Sequence, residues 1–79
     1  MAGPSKHLVP GDLVVLSSVP PGLLEGLEKK DQEAITSIVG KPVLFNEIDE
    51  HGRAELQFKD SSGIIHFIWV SPELLTTDY

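Results

Sequence analysis

The sequence predicts a mainly β fold with one helical insertion, arranged as a small five-stranded barrel with the helix between strands 1 and 2. Three observations carry this. Residues 53–58 alternate strictly between polar and apolar, the period of a half-buried strand. Residues 31–39 place Ala34, Ile35, Ile38 and Val39 on one face at helical spacing. Turn signals rich in Gly, Pro, Asp and Ser separate short apolar runs along the rest of the chain. The chain has 79 residues, enough for one small domain with a modest core. Residues 1–7 are polar and read as a flexible N-terminal tail, and residues 8–79 as a single small barrel domain.

Pro10-Gly11-Asp12 makes a turn into Leu13-Val14-Val15-Leu16, a strand whose four consecutive apolar residues imply cover on both sides. Pro20, Pro21 and Gly22 end it, since proline cannot donate to a ladder. Leu23 to Leu27 form a glycine-weakened helical turn, and the better helix runs from Asp31 to Val39. Glu28, Asp31 and Glu33 set negative charge at its start, where the helix dipole favours it. Gly40 followed by Pro42 stops it, with Gly40 expected in the left-handed conformation.

Residues 42–58 read as a hairpin. Its arms are residues 43–49 and 53–58, and its turn is Glu50-His51-Gly52. Ala54, Leu56 and Phe58 are expected in the core, with Arg53, Glu55 and Gln57 in water. After the turn at residues 59–63 comes the most apolar strand, Ile64 to Val70. One face carries Ile64, His66, Ile68 and Val70, and the other Ile65, Phe67 and Trp69. Only one face of a small single-sheet domain should be core. Residues 71–74 form a helical turn and residues 75–77 a last short strand.

This order, with its antiparallel connections, suits a small closed or nearly closed barrel, because closure removes exposed strand edges. It resembles the small Src-homology-3-like barrels of bacteria, including the KOW-type modules. The residues that carry the resemblance are Pro10 to Leu16, Gly40-Lys41, Ile48 to Phe58, and the closing Trp69 to Leu74. The helical insertion is larger than usual for such barrels. The resemblance implies the fold. It transfers function less well, because nucleic-acid-binding KOW modules are basic around the hairpin turn, whereas this turn region holds Glu47, Asp49, Glu50 and Glu55 against Arg53 alone. Barrels of this shape also serve as peptide-recognition modules or as small subunits of larger assemblies.

Six basic residues against twelve acidic give a net charge of −6. Phosphate neutralisation dominates nucleic-acid affinity, so this balance makes nucleic acid an unfavourable partner. It disfavours anionic membrane surfaces on the same ground. With no cysteine there are no disulfides, thiolate nucleophiles or cysteine zinc sites, and the reducing cytoplasm is the expected compartment. The first residues lack the apolar segment of a targeting signal, and no run reaches the roughly 20 apolar residues of a membrane helix.

Chemistry-bearing constellations are weak. There is no Gly-x-Ser-x-Gly elbow and no phosphate loop. Ser61-Ser62-Gly63 is turn chemistry with no base beside it. Asp49, Glu50 and His51 share one turn but nothing closes a metal site around them. His66 reads as a half-buried histidine with one hydrogen-bond partner, or as a pH-sensitive group. Paired carboxylates at Glu47/Asp49, Asp49/Glu50 and Glu25/Glu28 have polar flanks rather than a cleft that would shift them. No enzyme activity, cofactor or metal is therefore expected.

Trp69, the single tryptophan, has two readings: core under the helix, or part of an exposed aromatic patch. The function expected is a non-catalytic, acidic protein-interaction module, monomeric or weakly dimeric. Its candidate partner-binding residues are Trp69 and Phe67, with Asp49 and Glu50 in the neighbouring turn attracting a basic partner. The alternatives are a KOW-like nucleic-acid-associated module and a small accessory subunit of a larger enzyme complex.

Overall fold

The computed structural model describes residues 8–77, so the expected tail at residues 1–7 lies outside the described residues. The elements are β1 (Leu13–Leu16), α1 (Lys29–Ser37), β2 (Pro42–Ile48), β3 (Ala54–Lys59), β4 (Ile65–Val70), a 3-10 turn at Pro72–Leu74, and β5 (Leu75–Thr76). Each matches a predicted element to within two residues. All strand pairings are antiparallel, and the single sheet runs β4-β3-β2-β1-β5.

The predicted closed barrel is not formed. β4 and β5 are the two ends of the ladder and share no pairing. The reason lies in β5. Ser71 accepts a hydrogen bond from the Glu73 amide and starts the 3-10 turn, which leaves a strand of two residues. β5 pairs with Val15 and Leu16 of β1 on one edge, and two residues are too short a strand to carry the ladder on to β4 from the other.

The main core cluster lies on one face of the sheet, and Val15 on the other face of β1 is buried apart from it. Val14 and Leu16 of β1, Phe45 of β2, and Ala54 and Leu56 of β3 are the most deeply buried residues. Ala34 and Ile35 of α1, with Ile38 just past its end, cover them. These are the apolar positions that the helical spacing singled out; Val39 packs beside the cluster, partly buried. Gln32 holds the turn before α1 in place, its side-chain amide donating to the carbonyls of Leu24 and Leu27 at 3.0 and 3.1 Å.

One irregularity sets the register. The β2–β3 pairing shifts between Phe45 and Glu47. Unbroken alternation from Val43 and Phe45 would turn Glu47 toward the core. The bulge adds one residue, so Glu47 pairs with Glu55 on the outer face instead. The extra residue, Asn46, donates from its amide to Glu55 Oε2 at 2.9 Å and Gln57 Oε1 at 3.1 Å.

α1 ends at Ser37, two residues earlier than the sequence suggests, and a turn carries the chain to β2. Gly40 takes φ +84° in that turn, and its amide donates to the Leu16 carbonyl at 3.1 Å. A side chain there would meet open space, so any penalty comes from the backbone alone. Gly40→Val should destabilise by more than about 1 kcal/mol, while Gly40→Asn, which tolerates the left-handed region, should cost less. Equal melting of both variants and the parent would show that the conformation is not required. Phe58 is buried against the core and stacks on the His66 ring at 5.2 Å. Phe58→Ala should lower unfolding free energy by roughly 3–5 kcal/mol in a denaturant titration.

Candidate functional site

Alternation along β4 turns Ile68 and Val70 into the core and Ile65, Phe67 and Trp69 outward. These three are 47, 48 and 41% exposed. The structure thus decides between the two readings of Trp69: its ring is not core. The expected pair Phe67 and Trp69 do share one face, and Ile65 extends it. On β3 they face Lys59, Gln57 and Glu55, opposite Ile65, Phe67 and Trp69 respectively. An uncharged apolar strip therefore borders a polar one.

Trp69 also reaches a shallow depression of about 440 Å³. Pro20, Pro21 and Leu23 line one part of it, and His51, Gly52 and Arg53 of the β2–β3 turn another. The β2–β3 turn meets Trp69 here through His51, Gly52 and Arg53, while Asp49 and Glu50 of the same turn do not line the depression. The contribution of the proline pair, some fifty residues away in sequence, has no local signal.

Asp49 and Glu50 differ in state. Asp49 organises the turn: Oδ1 accepts from the amides of His51 and Arg53 at 2.9 and 2.8 Å, and Oδ2 from the Arg53 guanidinium at 2.8 Å. Partial desolvation raises the Asp49 carboxyl, but these bonds from Arg53 and His51 outweigh it and hold it below its ordinary value. Its charge is thereby matched by Arg53. Glu50 is almost fully exposed, 3.6 Å from His51 Nε2, and carries the more available negative charge of the turn.

His66 sits between elements. Its Nε2 donates to Asp60 Oδ2 at 2.8 Å, and Nδ1 lies 3.9 Å from Asp31 Oδ1 on α1. Asp60 Oδ1 accepts from the amides of Ser62 and Ile64. The imidazole hydrogen bond, with the Ile64 and Ser62 amides, holds the Asp60 carboxyl below its ordinary value. One residue thus ties the β3–β4 turn to the ring that stacks on Phe58.

A second concavity of about 790 Å³ lies between α1 and the sheet. Lys30, Lys41 and Lys59 line it, with Glu33 and Asp60 among its acidic residues. Half of the chain's six cations therefore collect at one groove rather than being scattered. Among the described residues no three His, Cys, Asp or Glu side chains converge as a metal site. Nor is any helix there long and apolar enough to cross a membrane.

No protein-family model matches the chain, and comparison with curated proteins and with solved structures gives no match.

The Asp60 link gives a pH prediction. Its carboxyl titrates lower in the folded than in the unfolded chain, so its stabilisation is present above the unfolded value and fades as pH falls through the folded one. Melting temperature should drop below about pH 4 more steeply in the parent than in Asp60→Asn, and the variant should already be less stable at pH 7. Parallel pH profiles for the two would show that the link contributes nothing.

Proposed function

We propose that this chain is a non-catalytic protein-interaction module that takes its partner on the outer face of β4, with Trp69 as the anchor and Phe67 beside it. The observation that carries this is the exposed, uncharged Ile65–Phe67–Trp69 strip ending at the Trp69 depression. Contiguous apolar surface rimmed by polar residues marks interaction sites, and tryptophan is enriched at their energetic centres. The apolar wall of Pro20, Pro21 and Leu23 suits a proline-containing segment, and the net charge of −6 suits a basic one. The strand order and the 3-10 turn before β5 support a partly open Src-homology-3-like arrangement, a shape used by peptide-recognition modules and by accessory subunits. The lack of cysteine suits the cytoplasm.

A pull-down from the native host, read by mass spectrometry, supplies the partner. Trp69→Ala should then keep the melting temperature within a few degrees and weaken binding by about 2 kcal/mol or more, some thirtyfold. Phe67→Ala should weaken it less. Glu50→Gln should mainly slow association and blunt its salt dependence, leaving Asp49 to hold the turn. A Trp69→Ala protein that binds like the parent removes this site.

The lysine groove favours one second reading, a KOW-like nucleic-acid-associated module. Lys30, Lys41 and Lys59 would meet phosphates there, and Lys59 borders β4 as well. Titration with single-stranded RNA and duplex DNA at low and moderate salt separates the two: clear, salt-sensitive binding lost in Lys41→Gln with Lys59→Gln would favour the nucleic-acid role.

A further inference from the structure

We infer that β4 is an open pairing edge, and that a second copy of this chain adds to it antiparallel, about a two-fold axis at Phe67.

The hydrogen-bond phase of the hairpin carries this. The Asp60 amide donates to the Ile64 carbonyl at 2.9 Å, which sets residues 60 and 64 in the hydrogen-bonded phase of the ladder, the return bond from the Ile64 amide going to Asp60 Oδ1 at 3.0 Å. The β3–β4 register continues from that pair without a break. Hydrogen-bonded and non-hydrogen-bonded pairs alternate along an antiparallel ladder. His66, Ile68 and Val70 therefore bond to β3, while the N–H and C=O of Ile65, Phe67 and Trp69 point away from it. β4 ends the sheet, so among the described residues no strand receives them. The same three residues whose side chains form the exposed apolar strip also present the unpaired backbone.

The two ends of the sheet differ in protection. β5 is two residues long, which blunts it. β4 has six residues, Ile-His-Phe-Ile-Trp-Val, with no Lys, Arg, Asp, Glu, Pro or Gly and no register shift against β3. Its own sequence therefore carries no proline, bulge, lysine or carboxylate to keep the edge from pairing.

A second copy fits by symmetry and charge. Centring on Phe67 sets Phe67 against its own copy, and Ile65 against Trp69 of the second copy. Every outward donor and acceptor of the three residues then has a partner. Centring on Ile68 would set Ile65 beyond the other strand's end. On the outer face, Lys59 lies beside Ile65 and Glu55 beside Trp69. The two-fold thus aligns the positive end of one copy's row with the negative end of the other's. The net charge of −6 on each copy opposes association, but this repulsion is screened by salt and the seam itself holds no carboxylate or ammonium. Dimerisation should accordingly strengthen with salt, opposite to the binding of a basic partner. The pairing shares β4 with the proposed interaction surface and does not depend on that surface's partner: it joins the two apolar strips into one wider face.

Sedimentation velocity on the full chain across concentration, at low and high salt, reads the dimer. The absence of cysteine lets single replacements report the register without background. Phe67→Cys should oxidise to a covalent dimer. Trp69→Cys alone should not, and an equimolar mixture of Ile65→Cys and Trp69→Cys should give the mixed dimer. N-methylation of the Phe67 amide in a synthetic chain should abolish the dimer while the melting temperature at low concentration stays put. A chain that is monomeric throughout at both salts overturns the pairing, whether or not Trp69→Ala loses a partner. A dimer in which Trp69→Cys cross-links to itself as readily as Phe67→Cys overturns it too.

Discussion

One nine-residue helix has to cover five strands, and it can cover only one side of them. The rest of the structure follows from that shortage. Residues whose parity turns them toward α1 lose nearly all contact with water, each burial being worth about 1.5–3 kcal/mol for a large aliphatic or aromatic side chain. Phe45, Leu16, Leu56 and Val14 are the largest fully buried of these. On the opposite face β3 presents charged and amide side chains and is comfortable in water. β4 presents Ile65, Phe67 and Trp69 there, and no element of the described chain covers them.

The strand ends and the bulge serve the same division of faces. The β2 bulge keeps Glu47 out of the core and frees Asn46 to bridge Glu55 and Gln57, so the polar strip beside β4 is itself ordered. Asp60 and His66 fix the other end of the β3–β4 hairpin, and Phe58 stacks on the imidazole from the neighbouring strand. β4 is thus held firmly along β3 and left open along its other side. A strand in that state is preorganised for a partner, because its backbone is already ordered before binding. Because β5 does not pair with β4, this edge of the sheet is left accessible among the described residues.

Much of the fold was legible in the sequence because its signals are local. Strict alternation in residues 53–58 marked Ala54, Leu56 and Phe58 as core, and all three are buried. Gly40 announced a left-handed turn and has one. Barrel closure was not legible, since it depends on how many residues the 3-10 turn leaves for β5. The bulge was hidden too: it is a shift between two strands, and the first strand alone reads as continuous. At the candidate site, alternation grouped Phe67 with Trp69 but could not say which face of an apolar strand is inward. That choice is made by His66, Ile68 and Val70 meeting the core beneath α1. The commitment of Asp49 to Arg53 and the gathering of Lys30, Lys41 and Lys59 are tertiary facts with no spacing to reveal them.

The central claim is that β4 bonds on one side only, with its free backbone at the residues that carry its apolar face. Amide hydrogen exchange on dilute, monomeric protein reads this residue by residue. Alternation is the predicted result: slow exchange at His66, Ile68 and Val70, and exchange faster by orders of magnitude at Ile65, Phe67 and Trp69. Uniform protection from Ile65 to Val70 in the monomer would contradict it, showing that the chain itself covers the edge.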